Sequence, residues 1–224
     1  MGSEMCIRDS FNTLKFTYFI MYGIRGNNGP KWSLILIGLS IVTFLIQLIV
    51  GPNIWVYFAF FPKDAINPLW IFRWVTSMFM HANFDHLFSN MIALFFFGTF
   101  LERLLGRYRF ITIYFSAGII GSIGYLVTAS MSSSNIPAIG ASGAVYGLLG
   151  TLTVLAPFMS VYIWGILPVP MIVLAVIYAT VDITGFAQPD GIAHGAHIAG
   201  MLVGIAFGLY LKPFFGSQKR RVTF

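Results

Sequence analysis

Three apolar stretches of the chain each begin with side chains that can take part in hydrolysis. Ser142 lies in the sequence Gly-Ala-Ser-Gly, His197 ends the run His-Gly-Ala-His, and His86 precedes Asn90 by four residues. Serine is a weak nucleophile until a neighbouring base takes its proton, and histidine can supply that base. The combination of Ser142 with His197 therefore predicts nucleophilic hydrolysis of an acyl bond.

Hydrolysis of an amide also requires donors for the negative charge that develops on the carbonyl oxygen. The backbone N–H of Ser142 and the side chains of His86 and Asn90 are the candidate donors. A spacing of four residues places His86 and Asn90 on one face of a helix, about 6 Å apart along its axis. We therefore predict an oxyanion hole formed by these three residues.

The imidazole of His197 must also be held in place, and the sequence offers aromatic packing for this purpose. Tyr146 follows Ser142 by one helical turn, from which its ring can stack on His197. No acidic residue is an obvious third member, and Asp182 is interpreted as a polar helix end. We therefore predict a Ser-His dyad without an acid. His194, three residues before His197, is the rival base.

The composition places these side chains in a membrane protein. Of the 224 residues, 58% are hydrophobic and only 9% are charged, and the mean hydropathy is +0.83. Soluble domains carry roughly a quarter charged residues, so this chain cannot cover a soluble surface. The single Cys6 excludes an internal disulfide and a cysteine metal cluster. The net charge of +6 is not gathered into a basic stripe, which argues against nucleic acid as a partner.

Six apolar stretches are predicted to cross the membrane as helices, because a hydrocarbon core requires about 20 mostly apolar residues per helix. They cover approximately residues 32–50, 84–101, 110–128, 142–157, 164–181 and 191–211. The long loop 51–83 is rich in aromatic residues, which predicts that it lies partly in the membrane interface. A short link is expected between the fourth and fifth helices. The predicted fold class is an all-α, polytopic membrane bundle.

Lysine and arginine residues fall mostly on one side of such a six-helix chain. Both termini and the link between the second and third helices carry them, whereas the other side receives only Lys63 and Arg73. The positive-inside rule then predicts that both termini are cytoplasmic. With this topology the second, fourth and sixth helices all enter from the outer face, so His86, Ser142 and His197 share one depth.

Small residues predict which of these helices pack together. Gly143 and Gly147 are four apart on the fourth helix, and Ala196, Gly200 and Gly204 repeat at the same spacing on the sixth. Small residues at this spacing allow two helix backbones to approach closely in lipid. Packing of the two stripes would bring Ser142 toward His197.

Other functional classes fit the sequence less well. A zinc protease would need a carboxylate at the HExxH spacing from its histidines, and none accompanies His194 and His197 in that way. An aspartic protease would need two facing carboxylates in helix interiors, whereas Asp182 and Asp190 are expected at helix ends. A transporter built from inverted halves would show an internal repeat, and the chain shows none.

The motifs resemble those of the rhomboid proteases. The resemblance rests on Gly140-Ala141-Ser142-Gly143 with Tyr146, on the run His194-Gly195-Ala196-His197-Ile198-Ala199-Gly200, and on His86 with Asn90. It covers about residues 32–212 and implies the six-helix prokaryotic form. It also implies the roles of the site residues: a catalytic dyad of Ser142 and His197, an oxyanion hole of His86, Asn90 and Ser142, and supporting positions at Tyr146, Gly140 and Gly143.

The resemblance implies an intramembrane serine endopeptidase whose substrates are single-span transmembrane proteins in the lipid bilayer, with no cofactor and no metal. The enzyme would lie in a prokaryotic inner membrane, with its active site opening to the outer face. A catalytically silent relative, acting as a chaperone or scaffold for transmembrane helices, is the alternative; such relatives lack the serine or the histidine. Glu102 and Arg103 resemble a structural polar cluster at the inner end of the second helix.

Three regions are therefore expected along the chain. Residues 1–31 form an N-terminal cytoplasmic tail, whose first ten residues are polar and unlike those that follow. Residues 32–212 form the six-helix protease domain, and residues 213–224 form a basic cytoplasmic tail.

Overall fold

The computed structural model describes residues 29–131, 135–163, 166–186 and 191–220, with side chains described as far as residue 214. Most of the expected N-terminal tail, the end of the C-terminal tail, and Asp190 therefore lie outside the described residues. The boundaries of the three expected regions stay a prediction.

Six apolar helices follow one another in the described part of the chain. They are α1 (Lys31–Val50), α2 (Phe84–Leu105), α3 (Arg107–Met131), α4 (Ser142–Leu155), α5 (Met171–Gly185) and α6 (His194–Arg220). By length and composition, α1, α2, α3 and the part of α6 from His194 to Phe214 can cross a membrane, whereas α4 and α5 are shorter. The protein is a helical polytopic membrane bundle, and the crossing of the membrane by α4 and α5 stays a prediction.

The predicted helix starts at Phe84 and Ser142 are confirmed, and α1 begins one residue before its predicted start. Asn83 caps α2 by accepting a hydrogen bond from the His86 N–H. One turn within α2, Leu94–Gly98, is π-helical. A π-helical turn changes the direction in which later side chains point, and Glu102 follows it.

The predicted fifth helix is wrong at its start. A hairpin of two antiparallel strands, β1 (Ser160–Ile163) and β2 (Leu167–Pro170), replaces the expected short link, and α5 begins only at Met171. Apolar periodicity alone does not separate a short strand from a helix. Pro168 and Pro170 lack an N–H and cannot continue a helical ladder, so the helix begins after them.

The loop between α1 and α2 consists of single helical turns. Their bounds are Pro52–Ile54, Trp55–Phe58, Pro62–Asp64, Pro68–Trp70, Arg73–Thr76 and Ser77–Phe79. The buried Arg73 guanidinium ties them together: it lies 2.8 Å from the Asp64 carboxylate, donates to the Tyr57 carbonyl and stacks 3.8 Å above the Trp70 ring. This loop is thus an ordered part of the fold that packs beside the helices.

The centre of the bundle is α4, which packs against α6 and α3. Nine of its fourteen residues are buried. A Cβ placed on Gly200 would overlap the carbonyl of Gly143, and one on Gly204 would overlap the carbonyl of Gly147. Thr151 adds a hydrogen bond of 3.0 Å from its hydroxyl to the Gly204 carbonyl. The predicted packing of the two small-residue stripes is confirmed.

At the far end of α2, the buried carboxylate of Glu102 binds the first turn of α1. It accepts hydrogen bonds from the Trp32 N–H at 3.0 Å, from the Ser33 N–H at 2.8 Å and from the Ser33 hydroxyl at 2.6 Å. The first N–H groups of a helix have no partner within it, and Pro30 has no side-chain acceptor to offer. Glu102 therefore caps α1 from a neighbouring helix.

Candidate active site

The segment that leads into α4 places Ser142 at the first position of that helix. Ala138 pairs with Phe60 of the loop through two backbone hydrogen bonds, and the Gly140 N–H donates to the Ser77 carbonyl at 2.9 Å. Gly140 has a φ of +117°, and a Cβ there would lie 2.7 Å from the His86 ring. Backbone conformation and lack of space thus both require glycine at this position.

Ser142 and His197 are brought together across α4 and α6. The Nε2 atom of His197 lies 2.8 Å from the Ser142 hydroxyl oxygen. The Tyr146 ring stacks on the His197 ring, with centroids 4.3 Å apart and planes inclined by 11°. This distance allows the imidazole to accept the hydroxyl proton directly, and the stacked ring restricts rotation of the imidazole.

Gly143 is the point at which three helices meet beside the serine. A Cβ on Gly143 would lie 3.5 Å from the Ala196 carbonyl and 3.7 Å from the Gly121 Cα. A Cβ on Gly121 would in turn lie 3.0 Å from that carbonyl. The two glycines therefore let α3, α4 and α6 approach one another at the level of Ser142.

Asp182 stands on the other side of the His197 ring, and here the sequence-based interpretation is wrong. Its Oδ1 atom lies 2.8 Å from Nδ1 of His197, and the residue is only 2% exposed. Asp182 is therefore not a solvated helix end, and an acid does accompany the dyad. Its neighbours Val181 and Ile183 face outward, so one residue of this helical turn points inward. An acid within an otherwise apolar membrane helix was the available signal.

His194, the rival base, takes a different place. Its Nδ1 lies 2.7 Å from the same Oδ1 atom of Asp182, and it is His197 that lies against Ser142. A Cβ on Gly185 would overlap the His194 ring, so glycine at that position provides the space for it. The two histidines of the predicted motif thus both contact one carboxylate oxygen.

The same three side chains are those, among the described residues, with the geometry to hold a metal ion. Asp182, His194 and His197 offer ligand atoms that all lie within 4.8 Å of one another. The carboxylate comes from another helix, so the sequence spacing of zinc proteases could not reveal it. A metal on the Nδ1 atoms would replace the hydrogen bonds to Asp182. The absence of a metal requirement stays a prediction.

His86 and Asn90, one turn apart on α2, make different contacts in the structure. The His86 ring packs on Gly140, at the edge of the Ser142 segment. The Asn90 side chain is buried and donates to the carbonyl of His86 in its own helix at 2.8 Å. His86 thus contacts the segment that leads to Ser142, whereas Asn90 bonds within α2, and the roles of both as oxyanion donors stay a prediction.

His81 was not singled out from the sequence as a site residue, and a small cavity beside Ser142 could not be seen in the sequence. His81 is fully buried in the loop, and its ring lies 5.2 Å from that of His86. Burial, with a smaller contribution from the neighbouring His86, lowers the pKa of His81 to about 4. A cavity of about 30 Å³ next to Ser142 is lined in part by Ser77, Ser122 and Ala193. Its volume suits about one water molecule.

The sequence of this chain is similar to those of known rhomboid proteases. The family model for the rhomboid domain matches residues 69–214. Rhomboid protease GluP of Bacillus subtilis is 33% identical over 202 residues, which cover 86% of this chain and 38% of that protein. Rhomboid protease GlpG of Serratia proteamaculans is 27% identical over 211 residues, covering 88% of this chain and 66% of that protein.

The relatives include both proteases and an inactive protein. Inactive RHOMBOID-like protein 8 of Arabidopsis thaliana is 38% identical over 82 residues, which cover 37% of this chain and 22% of that protein. The chain spans less than two thirds of the length of each of the relatives compared here. Since the matched region extends from the loop before α2 into α6 and covers more than half of the sequence, the chain belongs to the rhomboid family.

Proposed function

We propose that this protein is an intramembrane serine endopeptidase that cleaves peptide bonds in or near the transmembrane segments of membrane proteins. The observation that carries the proposal is the distance of 2.8 Å between Nε2 of His197 and the Ser142 hydroxyl oxygen. The protease relatives named above support the same conclusion. Ser142 is the nucleophile, and His197 is the general base.

In the first half of the reaction, the Ser142 oxygen attacks the carbonyl carbon of the scissile bond as its proton passes to Nε2 of His197. The intermediate then collapses, and His197 returns the proton to the leaving amine. In the second half, a water molecule gives a proton to Nε2 of His197 and attacks the carbonyl carbon of the acyl-enzyme. The bond to the Ser142 oxygen then breaks, His197 returns the proton to that oxygen, and the carboxylic acid leaves. The cavity beside Ser142 has room for such a water.

The developing oxyanion requires positioned donors. Ser142 is the first residue of α4, so its backbone N–H has no partner within the helix and can donate. His86 lies against Gly140, two residues before the serine, and is the nearest candidate side chain on α2. Asn90 would have to leave the His86 carbonyl, or use its second N–H, to take part.

The substrate class follows from the setting of the site. Apolar side chains face outward on α1 and α5, among them Val42, Ile49, Val176 and Ile183, and lipid is the environment they suit. A polypeptide that reaches Ser142 would therefore arrive from the bilayer, and single-span membrane proteins are the simplest such substrates. The six-crossing topology with cytoplasmic termini in a prokaryotic inner membrane, and with the site near the outer face, belongs to the same proposal.

The test is labelling of the purified protein with a fluorophosphonate probe, together with cleavage of a model transmembrane substrate. We expect Ser142→Ala to abolish both, with turnover lowered by at least about 10⁴-fold and Tm unchanged. Ser89→Ala, which changes an exposed serine on α2, is the matched control and should behave like the wild type.

Proteolysis retained by pure Ser142→Ala protein would contradict the proposal. The alternative is a catalytically silent chaperone or scaffold that binds transmembrane helices; one relative is named as inactive, although this chain has both Ser142 and His197. It predicts a wild-type protein that binds the model substrate but neither cleaves it nor reacts with the probe.

A further inference from the structure

The carboxylate behind the His197 ring has no part in a two-residue mechanism. We propose that Asp182 is a positioning residue that fixes the tautomer of His197 behind the Ser142–His197 pair, with His194 holding Asp182 in place. This inference rests on the proposed peptidase function and adds a residue that orients its general base.

Asp182, His197 and Ser142 form an unbroken line of hydrogen bonds. Oδ1 of Asp182 is 2.8 Å from Nδ1 of His197, and Nε2 of the same ring is 2.8 Å from the Ser142 oxygen. Each nitrogen of the imidazole therefore faces one defined partner. Tyr146 covers the face of the ring and leaves both nitrogens in contact with those partners.

The carboxylate determines which nitrogen of His197 carries the proton. An ionised carboxylate can only accept hydrogen bonds, so Nδ1 of His197 must be protonated to bond with it. A neutral imidazole with its proton on Nδ1 has its lone pair on Nε2, which is the atom that must take the proton of Ser142. After that transfer the imidazolium keeps both N–H groups, and the ionised Asp182 stabilises its charge while remaining deprotonated itself.

His194 provides the second hydrogen bond to the same oxygen. Its Nδ1 lies 2.7 Å from Oδ1 of Asp182, and the residue is only 5% exposed. A buried carboxylate is costly unless it is paired and hydrogen-bonded. The bond from His194, whose ring fills the space above Gly185, holds the side chain of α5 against the start of α6.

The proposal is tested with Asp182→Asn, which keeps the size of the side chain but removes its charge. Its amide N–H₂ can donate to Nδ1 of His197, which stabilises the tautomer with the proton on Nε2 and leaves Ser142 without a base. We expect kcat to fall by about 10²- to 10⁴-fold with KM and Tm near those of the wild type. Asp85→Asn, at an exposed position on α2, is the matched control and should leave kcat unchanged.

A second measurement reports the tautomer itself and does not depend on any variant at Asp182. In protein labelled with ¹⁵N-histidine, the nitrogen chemical shifts of His197, assigned with His197→Gln, show which ring nitrogen carries the proton. We expect the proton on Nδ1 in the wild type and on Nε2 in Asp182→Asn. A purely structural role of Asp182 would lower Tm without this change.

The proposal is overturned if the wild-type tautomer has its proton on Nε2, or if folded Asp182→Asn keeps wild-type kcat. In either case, probe labelling and cleavage that still depend on Ser142 would leave the peptidase function intact, with Tyr146 alone orienting the ring. A wild-type protein without any Ser142-dependent labelling or cleavage would instead contradict the proposed function.

Discussion

Two buried carboxylates lie at opposite ends of the bundle and differ in what they bind. Glu102, about 24 Å further along α2 than His86, accepts from two backbone N–H groups and a hydroxyl through both of its oxygens. Asp182 accepts from two imidazoles through its Oδ1 atom. The two residues are 6% and 2% exposed, so burial does not distinguish them.

The difference lies in the chemistry of the donors. The partners of Glu102 never change protonation state in the functional pH range, so its hydrogen bonds can only stabilise the fold. The partners of Asp182 are two histidines, whose protons can move between nitrogens and to other groups. The proposed role of Asp182 in positioning His197, and the structural role of Glu102, thus follow from the side chains that bind each carboxylate.

The largest effect is expected at the histidine that joins Asp182 to the nucleophile. His197→Ala should lower turnover about as much as the loss of Ser142, by about 10⁴-fold or more, because it removes the base. His194→Ala should lower turnover by about 10- to 100-fold, because it only loosens Asp182. Steady-state cleavage of one model substrate by both variants measures the difference. An inactive His194→Ala protein beside an active His197→Ala protein would reverse the assignment of the base.

An intermediate effect is expected at the candidate oxyanion donors on α2. His86→Ala should lower kcat by about 10²- to 10³-fold if its ring donates to the oxyanion, with KM and Tm little changed. Asn90→Ala should have a smaller effect on kcat, since the Asn90 amide is bound to the His86 carbonyl, and the double variant should be worse than either single one.

A clear loss of Tm in detergent with normal kcat in Asn90→Ala would assign Asn90 to packing. Asn90 would then join Glu102 as a structural group. Turnover per active site, counted with the serine probe, separates the two outcomes because it includes only folded molecules.

The smallest effect on catalysis is expected at Glu102. Glu102→Gln keeps one acceptor oxygen but loses the negative charge and brings an amide N–H₂ toward donors of α1. We expect a stability loss of about 1–3 kcal/mol, seen as a lower Tm, with turnover per active site unchanged. Arg103→Gln, one residue further along the same helix, also changes one charge but leaves the hydrogen bonds of Glu102 in place. It is the control and should keep the Tm of the wild type. Reduced turnover per active site at full stability would show that the far end of α2 also affects the chemistry.

Much of the fold and of the candidate site could be predicted from the sequence because these features depend on residues that are close together along the chain. Apolar length defines the helices, and the spacing of Ser142 and Tyr146 along one helix places both on the side that meets His197. The glycine stripes predict which two helices touch, because only residues without bulky side chains allow such close backbone contact. Each of these features involves a single helix, or two helices whose contact faces are indicated by small residues.

The tertiary structure decided the features that depend on how separate segments meet. The rotation of α5 turns Asp182 inward; a lone acid in an apolar helix indicates that it is buried, but which side chain it contacts depends on the packing of α5 against α6. The strands β1 and β2 form only because they pair with each other, and hydropathy along one segment does not show such pairing. The hairpin was therefore predicted to be a short link followed by the start of a helix. The Asn90 amide could reach either its own helix or the site, and only the packed geometry shows that it binds the His86 carbonyl. Sequence spacing determines which side chains share a helix face, whereas contacts between helices depend on the free energy of packing the whole bundle.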